Sequence, residues 1–189
     1  MSESDHSEAY ASIHKELIEA CKRGNQAAQF RIYELYFKAM YNTALRIVGD
    51  PDDAEDVMQE AFLKAFQKLN TYRGKVSFGA WLKKIVINKA LDFIKLKKQA
   101  LRLDDVNAEV LSEEHEEEMI VKYDPRVIKN AIHQLPEGYR IVLSLFLLEG
   151  YDHDEISSIL KISNATSRTQ YHRAKKKLIE LLKEMNAVS

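Results

Sequence analysis

Residues 151–177 read YDHDEISSILKISNATSRTQYHRAKKK, and their order of caps, apolar steps and cations decides the reading of the C-terminal half. Asp152 followed three residues later by Glu155 is a candidate capping box, in which side chains satisfy backbone N–H groups that the start of a helix leaves free. It opens a short helix with the apolar face Ile156, Ile159 and Leu160. Lys161-Ile162-Ser163 forms the turn. Ser163 then caps a longer helix in which Ser167, Tyr171, Ala174, Leu178, Leu181 and Leu182 share one face at spacings of three and four. Arg168, Thr169, His172, Arg173 and Lys176 lie opposite. Short helix, tight turn and long basic-faced helix make a helix-turn-helix, whose second helix brings N-terminal side chains to base edges while later cations neutralise phosphate. A surface helix with a solvated basic face would share the periodicity. It would not require the capped helix and turn before it, and it would mix charge signs, whereas Lys161 to Lys177 contains no acidic residue.

Charge is patterned along the rest of the chain. The 189 residues carry 28 Lys+Arg against 29 Asp+Glu, a net of -1. That balance is a cancellation: residues 73–102 hold 9 basic and 1 acidic (+8), 103–124 hold 1 and 9 (-8), and 161–189 hold 7 and 2 (+5). Two basic islands flank an acidic run, so electrostatics must be read segment by segment. Three Pro and six Gly with 46% hydrophobic residues disfavour both a disordered chain and a turn-rich β fold. The expectation is an all-α chain of two small helical domains joined by an acidic linker, the C-terminal one a helix-turn-helix. Residues 1–98 form the first domain, 99–124 the linker and 125–189 the second.

In the first domain a helix is expected from about Tyr10 to Cys21. A second runs from about Ala27 to Val48, with Phe30, Tyr33, Phe37, Tyr41, Ala44, Leu45 and Val48 at helical steps. Asp50-Pro51-Asp52-Asp53 is a helix start: a cap, a proline where the missing N–H costs nothing, and anions at the positive end of the helix dipole. That helix continues to about Leu69 and is apolar over more of its circumference than one core stripe needs. Asp56, Gln59, Glu60 and Leu63 then form an exposed mixed patch that suits a protein partner, unless the neighbouring helices cover it. Asn70–Ser77 is a basic loop. The helix from Phe78 to about Lys98 turns Phe78, Leu82, Ile85, Ile87, Leu91 and Ile94 inward. Tyr72, Phe78, Trp81 and Phe93 among nine cations suit single-stranded nucleic acid, where bases stack on rings and the backbone follows the charge. Packing of Phe78 and Phe93 in the core, with Trp81 anchoring the loop, is the competing reading. Lys84, Asn88, Asp92 and Lys95 form a polar stripe that meets either phosphate or water.

Helices in the second domain are expected at about 125–134, 137–149, 153–160 and 164–185, the first opened by Asp124-Pro125. The run Glu113–Glu118 repels itself and reads as a connector. Its charge is expected to keep the free protein off DNA. Cys21 is the single cysteine and has no histidine close in sequence; His153-Asp154-Glu155 are consecutive and point to different sides of a helix. Neither a glycine-rich phosphate loop nor metal-ligand spacing occurs. No enzyme activity, metal or cofactor is therefore expected. An acidic, polar start, and a longest apolar run, Ile141–Leu148, well short of the roughly 20 residues of a membrane span, point to a cytoplasmic protein without membrane insertion.

These segments, in this order, resemble the extracytoplasmic-function sigma factors over residues from about 26 to 183. Asp53-Ala54-Glu55-Asp56-Val57-Met58-Gln59-Glu60-Ala61-Phe62 is similar to the family's segment for the polymerase clamp helices. Phe78, Trp81, Leu82, Ile85, Asn88 and Asp92 match the spacing of its promoter-melting segment. Leu135-Pro136, Tyr139-Arg140, Val142, Leu145, Tyr151, Glu155-Ile156 and Arg173-Ala174 match its upstream-element module. The resemblance implies a region 2 domain, a region 4 domain, and the partners core RNA polymerase, promoter DNA (double-stranded upstream, single-stranded where melted) and an anti-sigma factor. It implies polymerase contacts at Asp56, Gln59, Glu60 and Leu63. Minus-ten contacts fall at Tyr72, Arg73, Lys75, Ser77, Trp81, Lys84, Asn88 and Lys95, and minus-thirty-five contacts at Arg168, Thr169, His172, Arg173 and Lys176. Asn164-Ala165-Thr166-Ser167 stands where the family shows a Gly-Thr-apolar run. His6, His14, His115 and His133 match no family motif and read as solvent or packing residues. A stand-alone helix-turn-helix regulator with an N-terminal sensor or oligomerisation domain explains the C-terminal half equally well; it leaves the basic aromatic loop and the over-apolar helix without a purpose.

Overall fold

The computed structural model describes residues 14–101 and 123–187. All regular structure among these residues is helical. They fall into two compact units, the first drawn mainly from residues before Leu91 and the second mainly from those after it. The linker expected at 99–124, the acidic run within it, His6 and His115 lie outside the described residues, apart from the ends of that segment.

The first unit begins with helix α1 (14–22) and continues with α2 (Gln26–Val48), α3 (Pro51–Gln67), a short 3-10 turn (Leu69–Thr71) and α4 (Phe78–Leu101), except that the end of α2 from Arg46 and the part of α4 from Leu91 cluster with the second unit. Asp50 caps α3 as expected: its carboxylate accepts from the N–H groups of Asp52 and Asp53, both at 3.0 Å, with Pro51 in the first turn. Helix α4 runs three residues past the expected end. Its core face also differs: Val86 and Ala90 are buried with Phe78, Leu82, Ile87, Leu91 and Ile94, while Ile85 is half-buried.

Helix α2 has the expected extent, and its burial shows which apolar residues face the core. Its buried face is Ala28, Ile32, Met40, Thr43, Ala44 and Ile47, whereas Phe30 and Phe37 are 63% and 43% exposed. Two apolar series coexist in this helix, and packing selects the smaller side chains that let neighbouring helices approach. Tyr33 bridges them: its ring stacks along Phe37 at 5.8 Å and meets Phe62 of α3 at 4.9 Å.

The second unit holds α5 (Pro125–His133), α6 (Glu137–Leu147), α7 (His153–Leu160) and α8 (Asn164–Ala187). Helix α8 packs against the other three. The core is Ala131, Ile132, Leu135, Leu143, Ala174, Leu178 and Leu182, with Tyr171 and Leu181 against it. The apolar face expected of α8 is thus the one it buries, joined by Ile179. Asp124 caps α5 by accepting from the Arg126 N–H at 2.7 Å.

Candidate polymerase and nucleic-acid interfaces

On α3, Asp56, Gln59, Glu60 and Leu63 are all exposed, Leu63 by 64%. The face opposite holds Ala54, Val57, Met58, Ala61, Phe62 and Ala65, so one helix carries a complete core stripe and a separate surface row. Two members of that row have intramolecular partners. Glu60 pairs with Lys89 of α4, and the Gln59 amide donates to Glu55 at 3.1 Å. A large aliphatic side chain set in water among three polar ones is an arrangement a protein surface would cover.

The basic loop is shaped by rings. Tyr72 lies 5.4 Å from both Phe78 and Trp81, Phe78 lies 5.5 Å from Trp81, and Tyr36 of α2 meets Phe78 at 5.4 Å. The Tyr72 hydroxyl donates to the Val76 carbonyl at 2.8 Å, closing the loop around Gly74, whose φ of 71° favours glycine. Ser77 Oγ accepts from the Ala80 N–H at 3.2 Å and caps α4. Phe78 is core, Trp81 is half-buried against the loop, and Arg73, Lys75 and Ser77 stay exposed. Along α4 the spacing of Trp81, Lys84, Asn88 and Lys95 puts them on one stripe, and the last three are exposed. The packing reading holds for Phe78 in the core and for Trp81 against the loop, while Phe93 is only half-buried and part of the Trp81 ring stays exposed.

In the second unit both expected caps of the helix-turn-helix form. Asp152 Oδ1 accepts from the Glu155 N–H at 2.8 Å while Glu155 Oε2 accepts from the Asp152 N–H at 3.0 Å. Ser163 Oγ accepts from the Thr166 N–H at 3.0 Å. Lys161 makes the turn with φ 58°, a left-handed conformation. Arg168, His172 and Lys176 are exposed; Arg173 and Thr169 are half-buried. The Thr169 hydroxyl donates to the Ala165 carbonyl at 2.9 Å.

Sequence reasoning missed what holds the front of α8. Ser167 is wholly buried, and its hydroxyl meets His153 Nδ1 at 2.9 Å. The His153 ring stacks on Phe146 at 4.7 Å and meets Tyr171 edge-on at 5.5 Å. Burial, reinforced by Arg168 and the neighbouring His172, holds this imidazole below its ordinary pKa, against the opposing pull of Asp152 and Asp154. Asn164 donates to Asp154 Oδ1 at 2.6 Å and accepts from Arg168 Nε at 2.8 Å. His153, Asp154 and Glu155 do diverge, each to a different partner. The signal available beforehand was the i, i+4 spacing of Asn164 and Arg168. Of the remaining histidines, His14 Nδ1 meets the Tyr36 hydroxyl at 3.0 Å and His133 is exposed. Burial raises the Cys21 thiol pKa, which keeps it a poor nucleophile.

Family models match both units: Sigma-70 region 2 over residues 32–100 and Sigma-70, region 4 over residues 126–178. The ECF RNA polymerase sigma factor SigW of Bacillus subtilis is 30% identical over 185 residues, covering 90% of this chain and 97% of the relative. The chain belongs to the extracytoplasmic-function sigma factor family. The RNA polymerase sigma-H factor of Pseudomonas aeruginosa is 28% identical over 182 residues, covering 90% of this sigma factor and 94% of its own length. The fold is shared with the sigma factor RpoE, solved in complex with the anti-sigma factor NepR from Bartonella quintana. That likeness has a TM-score of 0.56 at 23% identity, covering 81% of this chain and 95% of that one. A sigma factor directs core RNA polymerase to promoters and assists their opening, which calls for one surface on polymerase and two on DNA.

Proposed function

We propose that this sigma factor distributes those tasks over three surfaces of its two units, residues 1–98 serving as region 2 and 125–189 as region 4. Asp56, Gln59, Glu60 and Leu63 dock on core polymerase. Tyr72, Arg73, Lys75, Ser77, Trp81, Lys84, Asn88 and Lys95 capture unpaired bases of the minus-ten element. Arg168, Thr169, His172, Arg173 and Lys176 read the double-stranded minus-thirty-five element. The observation that carries this reading is the doubly capped helix-turn-helix, whose long helix buries Ser167, Ala174 and Leu178 and turns Arg168, His172 and Lys176 to solvent.

The protein contributes no bond-making step; polymerase supplies the chemistry, in the cytoplasm. Opening a duplex loses stacking worth about 1.4 kcal/mol per step. Capture of one or two bases at roughly 1–3 kcal/mol each offsets a short bubble, and the exposed cations beside Trp81 hold the strand. Two modules on one chain raise effective concentration, so each can bind weakly. The structural relative solved with NepR supports an anti-sigma partner here as well. Among the described residues no helix is long and apolar enough to cross a membrane.

Run-off transcription from a genomic library, using core polymerase with and without the protein, tests the reading. Protein-dependent transcripts sharing two spaced upstream elements are expected. Core binding without any such transcript would overturn it, and absence of core binding would favour a stand-alone regulator.

A further inference from the structure

Asn164, in the stretch 164–167 where the chain leaves the family pattern, is the centre of a polar relay. Asp154 near the start of α7 accepts from the Asn164 amide at 2.6 Å, and the Asn164 carbonyl oxygen accepts from Arg168 Nε at 2.8 Å. Asn164 is the first residue of α8, Arg168 follows one turn later, and Arg168 is exposed at the end of the helix that enters the groove in a helix-turn-helix. An unsupported arginine loses considerable rotamer freedom on binding, and a guanidinium fixed beforehand loses less. With Nε engaged by Asn164, its two terminal amino groups are left as the pair that reads guanine O6 and N7.

We infer that Asp154 and Asn164 are positioning residues that pre-set Arg168 to select guanine at one position of the upstream promoter element. The relay spans the turn: it runs from the first helix of the motif to the reading side chain on the second, so it fixes the arginine relative to both. Asn164 does this with both ends of its amide, one donating and one accepting, which neither a glycine nor an aliphatic side chain provides. The Asp154 carboxylate makes the chain of bonds charge-assisted at its far end. The inference rests on the reading of α8 as the base-contacting helix.

The test is run-off transcription by reconstituted holoenzyme on promoters with a randomised upstream element, with folding of each variant checked by thermal melting. Arg168→Ala is expected to lower the preference for guanine at one position by about ten-fold or more. Asn164→Ala should lower it at that same position by about three- to five-fold, as loss of one orienting hydrogen bond does, with other positions changing less than two-fold. Asp154→Ala should act in the same direction and more weakly, while Asp154→Asn, which keeps an acceptor for the Asn164 amide, should restore most of the preference. In the Arg168→Ala background, Asn164→Ala should change nothing further at that position. If Arg168→Ala alters no base preference, the reading of α8 fails and the relay with it. If Arg168→Ala flattens a position that Asn164→Ala leaves intact, the relay alone is overturned. A loss spread evenly over all positions in Asn164→Ala would assign Asn164 to the helix end, and a selected base other than guanine would equally refute the inference.

Discussion

The two proposed nucleic-acid surfaces are built from different materials. In the first unit the basic loop is held by rings, with Tyr72, Phe78 and Trp81 packed within 5.5 Å of one another and one hydroxyl closing the turn. In the second, the helix-turn-helix is held by polar bonds: Asp152 and Ser163 cap within three residues, while His153 and Asp154 reach across the turn to Ser167 and Asn164. Ring packing tolerates sliding and leaves a face on which a flipped base can stack. Hydrogen bonds at 2.6–3.0 Å fix orientation, which a helix must have to match base edges. The first surface is suited to capture, the second to selection.

The largest test of this contrast removes the core beneath one surface. Leu178 is fully buried against α5 and α6, and Leu178→Ala is expected to cost about 3–4 kcal/mol, with loss of upstream duplex binding. Trp81 is the chain's only tryptophan and sits in the first unit. Its fluorescence transition in urea should therefore stay where it was while the helical circular-dichroism signal of the full chain shifts to lower denaturant. If both move together, the two surfaces are not stabilised separately.

Trp81→Ala attacks the other side. Half-buried against Tyr72 and Phe78, the ring should cost about 2–3 kcal/mol, below the 3–5 of a fully buried aromatic. Open-complex formation, followed by permanganate reactivity of unpaired thymines, should fall more than ten-fold while upstream duplex binding is unchanged. An equal fall in both would show that the loop acts through folding alone.

How much of this was legible beforehand follows the same division. Caps announce themselves in sequence because the donor and acceptor lie within three residues: Asp50, Asp124, Asp152 with Glu155, and Ser163 all act as their spacing indicates. The exposed row on α3 was also readable, since a complete apolar stripe left Asp56, Gln59, Glu60 and Leu63 over. Spacing alone did not show which face of α2 is buried, because Phe30 and Phe37 keep a helical period while Ile32, Met40 and Ile47 fill the core. Long-range partners leave no such trace, so neither the His153–Ser167 bond nor the Asp154–Asn164 bond could be inferred from local spacing.

Two smaller substitutions sharpen the polar side of the comparison. Asp152→Ala removes half of the capping box and should cost about 1 kcal/mol in denaturation, with no effect on the Trp81 fluorescence transition. Lys161→Gly relieves a left-handed residue in the turn and should stabilise the chain by about 0.5–1 kcal/mol after the extra chain entropy of glycine is counted. A destabilised Lys161→Gly would mean that the lysine side chain contributes to the turn.

The smallest effect concerns proton binding at His153. Its folded pKa lies below the ordinary histidine value through burial and the neighbouring Arg168 and His172, so the folded chain binds a proton there less readily than the unfolded chain. Stability from this site is therefore complete above the unfolded histidine pKa of about 6.5 and is lost as pH falls from there through the lower folded pKa. The ring is only half-buried, and solvent screens the added charge, so the decline should be shallow. A protonated Nδ1 could no longer accept from the buried Ser167 hydroxyl, which would then have to serve as acceptor. Comparing urea midpoints at pH 5.5 and 7.5 for the wild-type chain and His153→Gln isolates the contribution: the variant should lose part of the pH dependence. If wild type and variant track each other across that range, the front of α8 is held without regard to the charge of His153. A loss in the opposite direction, with stability rising on acidification, would mean that the imidazole is gaining an anionic partner in the folded state, and Asp152 and Asp154 are the two placed to provide it.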